Sequence, residues 1–249
     1  MNLNPEQRAA VAAGAGAHRV EAIPGAGKTK VAVARYERLR AAGIPENEIL
    51  SLTFTRSAAQ EMRDRAGSDK TGRGGFRTFH ALALAIAMTE AKHLPFQLAD
   101  FPIPQNGEAV RTLKKILKNF TALSYREAKE YISLCLHRGI SPGEAIARET
   151  DWQAAELAQV FAEYERRMRE LGLLDFDSLQ LEVVRLLERN AEVRAHWQFA
   201  FVQADEAQDS DECQWKLLQL LSEKSGNVFC VGDANQALYA WRGAAPECF

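Results

Sequence analysis

With 249 residues, 47% of them hydrophobic and 26% charged, the chain is long enough for one large α/β domain or a domain carrying a smaller insert. Its net charge of −2 excludes a histone-like coat of positive charge but leaves room for a local basic groove. MNLNPEQRAA has no basic patch followed by an apolar core, and no stretch approaches the roughly 18 apolar residues that span a bilayer, so the expectation is a cytoplasmic protein with no membrane partner. Cys135, Cys213, Cys230 and Cys248 lack paired spacing, which points to reduced thiols rather than a zinc site or disulfide framework.

In chain order, apolar β-rich runs at Arg19 to Ile23, Ile49 to Phe54, Phe199 to Ala204 and Asn227 to Val231 each end in small, polar or acidic residues and are read as buried parallel strands. Helical patterns at Lys28 to Ala41 and Ser57 to Arg65 lie between them, giving the strand-helix alternation of a doubly wound α/β sheet. From about Glu90 to Leu174 the strand signal disappears. Glu108 to Phe120, Tyr125 to His137 and Trp152 to Leu171 carry apolar residues at helical spacing, with Asp151 placed as an N-cap. The expected organisation is a first part of the α/β domain at 1–89, a helical insert domain at 90–174, and the second part of the α/β domain at 175–249. Between Gly67 and Gly75, GSDKTGRGG is a glycine-rich loop. Its Lys70 and Arg73 are placed to meet phosphate, or the loop is a plain flexible connector.

Three segments carry chemistry. AIPGAGKT follows the first strand and opens the first long helix. Pro24, Gly25, Ala26 and Gly27 would turn backbone N–H groups toward phosphate, Lys28 would reach the β- and γ-phosphates, and Thr29 would offer its hydroxyl to Mg²⁺. Ala22 stands where the general pattern has glycine, so taken alone the segment also fits an ordinary strand-to-helix turn. A second signal comes from FAFVQADEAQD, where an apolar strand runs into Asp205 and Glu206. Asp205 would hold Mg²⁺, and Glu206 would orient the attacking water, because phosphoryl transfer needs mainly positioning and charge neutralisation. The third, VGDANQALYAWRGA, places Gln236 to sense a γ-phosphate and Tyr239 and Trp241 to offer aromatic faces to bases.

NPEQRAAV, AIPGAGKT, LTFTRSAAQEMRDR, RTFHALA, DEAQD and GDANQALYAWRGA resemble, in order and approximate spacing, the N-terminal motifs of UvrD/Rep-type superfamily 1 helicases. The resemblance implies a RecA-like P-loop sheet with a helical insert, ATP and Mg²⁺ as cofactors, and single-stranded or 3′-tailed duplex DNA as partner. It also implies that Gln7 reads the adenine edge, that Lys28 and Thr29 hold phosphate and metal, and that Gln236 couples hydrolysis to movement. The implied DNA contacts are Phe54, Arg56, His80, Tyr239 and Trp241, and QALYAWRGA resembles the 3′ to 5′ branch.

Two departures from the family stand out. Lys30 stands where many members have an arginine that stacks on adenine, and Arg56 and Ser57 stand where members often carry Asn and Lys. The family's C-terminal motifs, arginines among them, have no counterpart in these residues, so the expectation is one half of a motor that needs its C-terminal half in cis or in trans. A non-motor module that binds nucleotide and works through a partner is the alternative reading. A small-molecule kinase would need an acceptor site and lid, where this chain has Gln236, Tyr239, Trp241 and Arg242.

Overall fold

The computed structural model describes residues 2–68, 72–100, 102–105, 107–236, 244, 245 and 248. Five strands are found among them: β1 (Ala17–Glu21), β2 (Ile49–Thr53), β3 (Gly75–Thr78), β4 (Phe201–Asp205) and β5 (Val228–Gly232). All pair in parallel, in the order β1-β5-β4-β2-β3. The interior strands β2, β4 and β5 are almost wholly buried, whereas β1 alternates between exposed and half-buried residues, as one covered face at a sheet edge requires.

Parallel strands need crossovers, and helices supply them. In the order of the chain the helices are α1 (Pro5–Ala12), which precedes the first strand, then α2 (Lys28–Ala41), α3 (Arg56–Ala66), α4 (Phe79–Thr89), α5 (Glu108–Leu117), α6 (Tyr125–His137), α7 (Pro142–Arg148), α8 (Trp152–Glu170), α9 (Phe176–Arg189), α10 (Ala191–His196) and α11 (Glu212–Ser222). The four strands expected from sequence are present within two residues of their expected bounds. The fifth, β3, was not read from sequence: it starts at the last glycine of the glycine-rich loop and runs into the RTFHALA motif. It is four residues long and carries Arg77, so its pattern is too short to register.

The chain divides into two compact units, Met1–Leu82 with Leu187–Phe249, and Ala83–Leu186. In the α/β unit, Val33, Tyr36, Met62, Ile49 and Phe76 form one core under α2 and α3, with the Tyr36 and Phe76 ring centroids 4.4 Å apart. A second core joins Val11, Val31, Ala34, Phe229 and Val231, which fastens α1 and α2 onto β5. Burying such side chains contributes about 1.5–3 kcal/mol each.

The helical unit is organised around α8, whose buried Ala158, Phe161, Tyr164, Glu165 and Met168 recur at helical spacing. Asp151 caps α8 through the N–H groups of Gln153 and Ala154, and Ser124–Glu127 and Ser141–Glu144 form capping boxes on α6 and α7. No described residue of this unit is in a strand. No helix among the described residues is long and apolar enough to cross a membrane.

Candidate nucleotide and nucleic-acid site

Three strand ends meet at one edge of the sheet. The β1–β5–β4 register aligns Glu21 with Gly232 and Asp205 with Val231, so the segments leaving these strands converge at their C-terminal ends, where ligands bind in open α/β sheets. Leaving β1, Ala22 N–H still donates to Gly232 O at 2.9 Å, and the chain then turns through Gly25 and Gly27 at positive φ. Gly27 is constrained twice: its φ is +83°, and a Cβ there would lie 2.9 Å from Gln7 Nε2. Gly27 caps α2 without a side chain, so the first-turn N–H groups of that helix meet no side-chain cap and present the partial positive charge that attracts phosphate.

Lys28 and Thr29 open α2, and each finds an acid from the end of β4. Lys28 Nζ lies 2.9 Å from Glu206 Oε2, with the lysine buried and the glutamate 38% exposed. Thr29 Oγ1 donates to Asp205 Oδ2 at 2.9 Å. Burial pushes the Asp205 carboxyl up to about 6, and the Thr29 hydroxyl and the Lys28 charge pull against that shift. Glu206 is the one non-glycine at positive φ among the described residues, at 54°. This left-handed backbone turns the chain sharply at the strand end, and such strain persists where surrounding contacts hold it.

Gln208 was not singled out from sequence, although it lies inside DEAQD. It is 2% exposed; its Nε2 donates to Glu206 Oε2 at 3.0 Å and its Oε1 accepts the Asp233 N–H at 3.0 Å. Asp233, buried at the exit of β5, accepts from the Gln236 side chain and from Asn235 N–H. A continuous hydrogen-bonded path therefore runs from Lys28 through Glu206, Gln208 and Asp233 to Gln236. The signal for Gln208 was its place between two acids beyond an apolar strand, where a buried amide has carboxylates to serve.

Gln7 lies over the phosphate loop, its Nε2 donating to Ala26 O at 2.8 Å and its Oε1 accepting the Asn4 N–H at 3.0 Å. α1 is held there by two guanidiniums of α2. Arg35 donates to Ala13 O and Gly14 O, and Arg38 donates to Val11 O at 2.9 Å, satisfying carbonyls at the end of α1. Arg35 also lies over the Phe229 ring, 4.5 Å from its centroid. Lys30 Nζ donates to Asn2 O, so this ammonium is tied to the segment preceding α1.

Of the residues expected at DNA, Phe54 is half-buried with its ring 5.9 Å from that of buried Phe79. Arg56 is exposed at the start of α3, and His80 is half-buried in the first turn of α4. Tyr239 and Trp241 lie outside the described residues, as does Lys70. Arg73 is engaged within the fold: it pairs with Glu48 at 2.5 Å, donates to His196 O and lies over the Phe199 ring.

A glycine turn between a parallel strand and a helix, with a threonine and a lysine facing an Asp-Glu pair from another strand end, defines a RecA-like P-loop domain. The chain belongs to the UvrD/REP helicase family, whose N-terminal-domain profile matches residues 3–249. It is 34% identical to DNA helicase II of Haemophilus influenzae, with 98% of this chain and 35% of that protein covered. It is 31% identical to the ATP-dependent DNA helicase PcrA of Staphylococcus aureus (98% and 34% covered) and 33% to the ATP-dependent DNA helicase Rep of Salmonella typhimurium (99% and 38% covered). The chain thus spans about a third of the length of these curated relatives.

Proposed function

We propose that the chain is the ATP-binding, single-strand-contacting part of a 3′ to 5′ DNA helicase that couples ATP hydrolysis to movement along DNA. The observation that carries this reading is the double pairing of Lys28 with Glu206 and of Thr29 with Asp205, at the mouth of a glycine turn. Lys28 and the N–H groups opening α2 would receive the phosphates, and Gln7 the adenine edge. Thr29 and Asp205 are hard oxygen donors already 2.9 Å apart, a set that fits Mg²⁺ shared with phosphate oxygens. When bound, Mg²⁺ supplies neutralisation of charge on those oxygens.

Glu206 would accept a hydrogen bond from water and aim it at the terminal phosphorus. Gln208 holds that carboxylate while its other end meets the turn bearing Gln236, so a change at the phosphate has a bonded route to the segment after β5. A module that only held nucleotide would have little use for a strained, braced carboxylate, which favours the hydrolytic reading over a passive one.

Phe54, Arg56 and His80, with Tyr239 and Trp241, would meet a DNA strand through stacking and phosphate contact. Two titrations test the proposal. Calorimetry should show Mg²⁺-dependent ATP binding, and anisotropy should show oligothymidylate binding that weakens with salt. A chain that bound neither would refute it.

A further inference from the structure

α3 carries a basic stripe that continues past Arg56. Gln60 and Arg63 lie four and seven residues beyond Arg56, hence on the same helix face. Arg63 Nη1 donates to Phe76 O at 2.6 Å, which lays its guanidinium against β3, and Nη2 donates to Gln60 Oε1 at 3.1 Å. The next residue of β3 is Arg77, whose side chain donates to Gly74 O and Gly72 O. Two half-buried guanidiniums are thus anchored on the single stretch 72–76.

Like charges brought together normally come with a carboxylate between them. Here none pairs with either arginine among the described residues: Asp64 is engaged by Gln60 at 2.5 Å, and Glu61 by Arg65. Burial and the Arg63 charge lower the Arg77 pKa. Buried Arg63 Nε has no hydrogen-bond partner. The carbonyls that hold the two side chains satisfy some N–H donors but neutralise no charge.

We propose that Arg63 and Arg77 form a phosphate-binding pair that takes the backbone of a nucleic-acid strand, extending the contact begun at Arg56. The planar guanidinium fork suits phosphate oxygens, and anchoring on carbonyls orients it beforehand. The site rests on the DNA reading above.

Anisotropy of a labelled oligothymidylate with the 249-residue chain, followed through a chloride titration, counts the phosphates neutralised. Arg63→Gln together with Arg77→Gln should flatten the slope of log affinity on log salt by about 1.4, and Arg77→Gln alone by about 0.7, from roughly 0.7 per contact on a single strand. Arg77→Lys keeps the charge and should keep the slope, which separates phosphate contact from bracing of the 72–76 stretch. Thermal melts accompany each variant, and if the double variant unfolds, the two single variants decide.

A parent chain that binds with salt dependence, beside Gln variants with the parent's slope, would overturn the pair and leave the DNA reading standing. A parent that does not bind would sink both. Inorganic phosphate at matched ionic strength should displace the oligonucleotide no more than chloride does. Selective displacement would make this a free-phosphate site and overturn the proposal.

Discussion

Both units of this protein bury ionised side chains, and they do so for different ends. At the sheet edge, Asp205 and Glu206 are met by one cation and one hydroxyl, both supplied by the turn that opens α2, and Glu206 stays 38% exposed. In the helical unit, Glu165 and Glu182 lie 3% and 2% exposed. Arg169 contacts both, Ser178 donates to Glu165 at 2.6 Å, and Arg185 pairs with Glu182 at 2.8 Å. Burial raises Asp205 to about 6 and Glu165 to about 7, so perturbed acidity does not tell the two apart. Their surroundings do. The first pair stands at strand ends beside uncapped helix N–H groups, and the second is enclosed by its own counter-charges on α8 and α9. The first is thus placed at the mouth of a glycine turn, and the second is matched by cations of its own unit.

Turnover should show the largest difference. The 249 residues alone should release phosphate slowly, and a polypeptide carrying the family's C-terminal arginines should raise the rate by about 10³- to 10⁵-fold if it docks. A steady-state phosphate-release assay measures this, and several turnovers per second from the chain alone would show that the sheet edge is already a complete site.

Lys28→Ala comes next. Removing a charged donor to phosphate should weaken ATP by about 3 kcal/mol, roughly 10²-fold in a calorimetric titration. Arg169→Ala should leave that affinity unchanged, because Arg169 serves the helical cluster. Equal effects would erase the distinction between the two sets of charges. Gln208→Ala should have a smaller effect, lowering turnover in the docked assembly by about 2 kcal/mol, near 30-fold, with ATP affinity little changed, since Glu206 then keeps only Lys28. A loss of affinity in place of turnover would make Gln208 a brace of the loop instead.

How much of this was legible in the sequence depended on whether the signal was local. α2 and α6 appear with the bounds their periodicity implies, because glycine, serine and apolar spacing mark them directly. α3 extends one residue beyond each expected end. α9 and α11 were not read: 176–189 follows the helical segments without a break in composition, and 212–222 is short and lies between two strand motifs. Phosphate-loop and acidic residues were legible because strand-end chemistry follows chain order. The pairings Lys28–Glu206 and Thr29–Asp205, the bridge through Gln208 and the seating of α1 by Arg35 were not, since each joins residues far apart in sequence. Arg63 and Arg77 are likewise 14 positions apart, and it is the placement of α3 against β3 that lets both reach carbonyls of the 72–76 stretch.

The smallest expected effect belongs to the helical unit and concerns pH. Glu165 has a folded-state pKa of about 7 against a reference of 4.5, raised first by burial and further by the charges of Asp175 and Glu182, while Ser178 and Arg169 lower it. An acid raised on folding contributes stability that is fully present below its unfolded value and is lost as pH climbs through the folded one. The window is therefore pH 4.5 to about 7. At about 1.36 kcal/mol per unit the whole shift is worth roughly 3 kcal/mol, and the neighbouring Arg169 and Glu182 charges readjust to absorb part of it, leaving about 1 to 2. Glu165→Gln removes the titrating proton while keeping the shape. Urea midpoints of the parent should fall across that window more steeply than those of the variant, whose curve should be flatter by this amount. Parallel curves would mean that Glu165 stays ionised throughout beside Arg169, so that the counter-charges on α8 and α9 outweigh its burial.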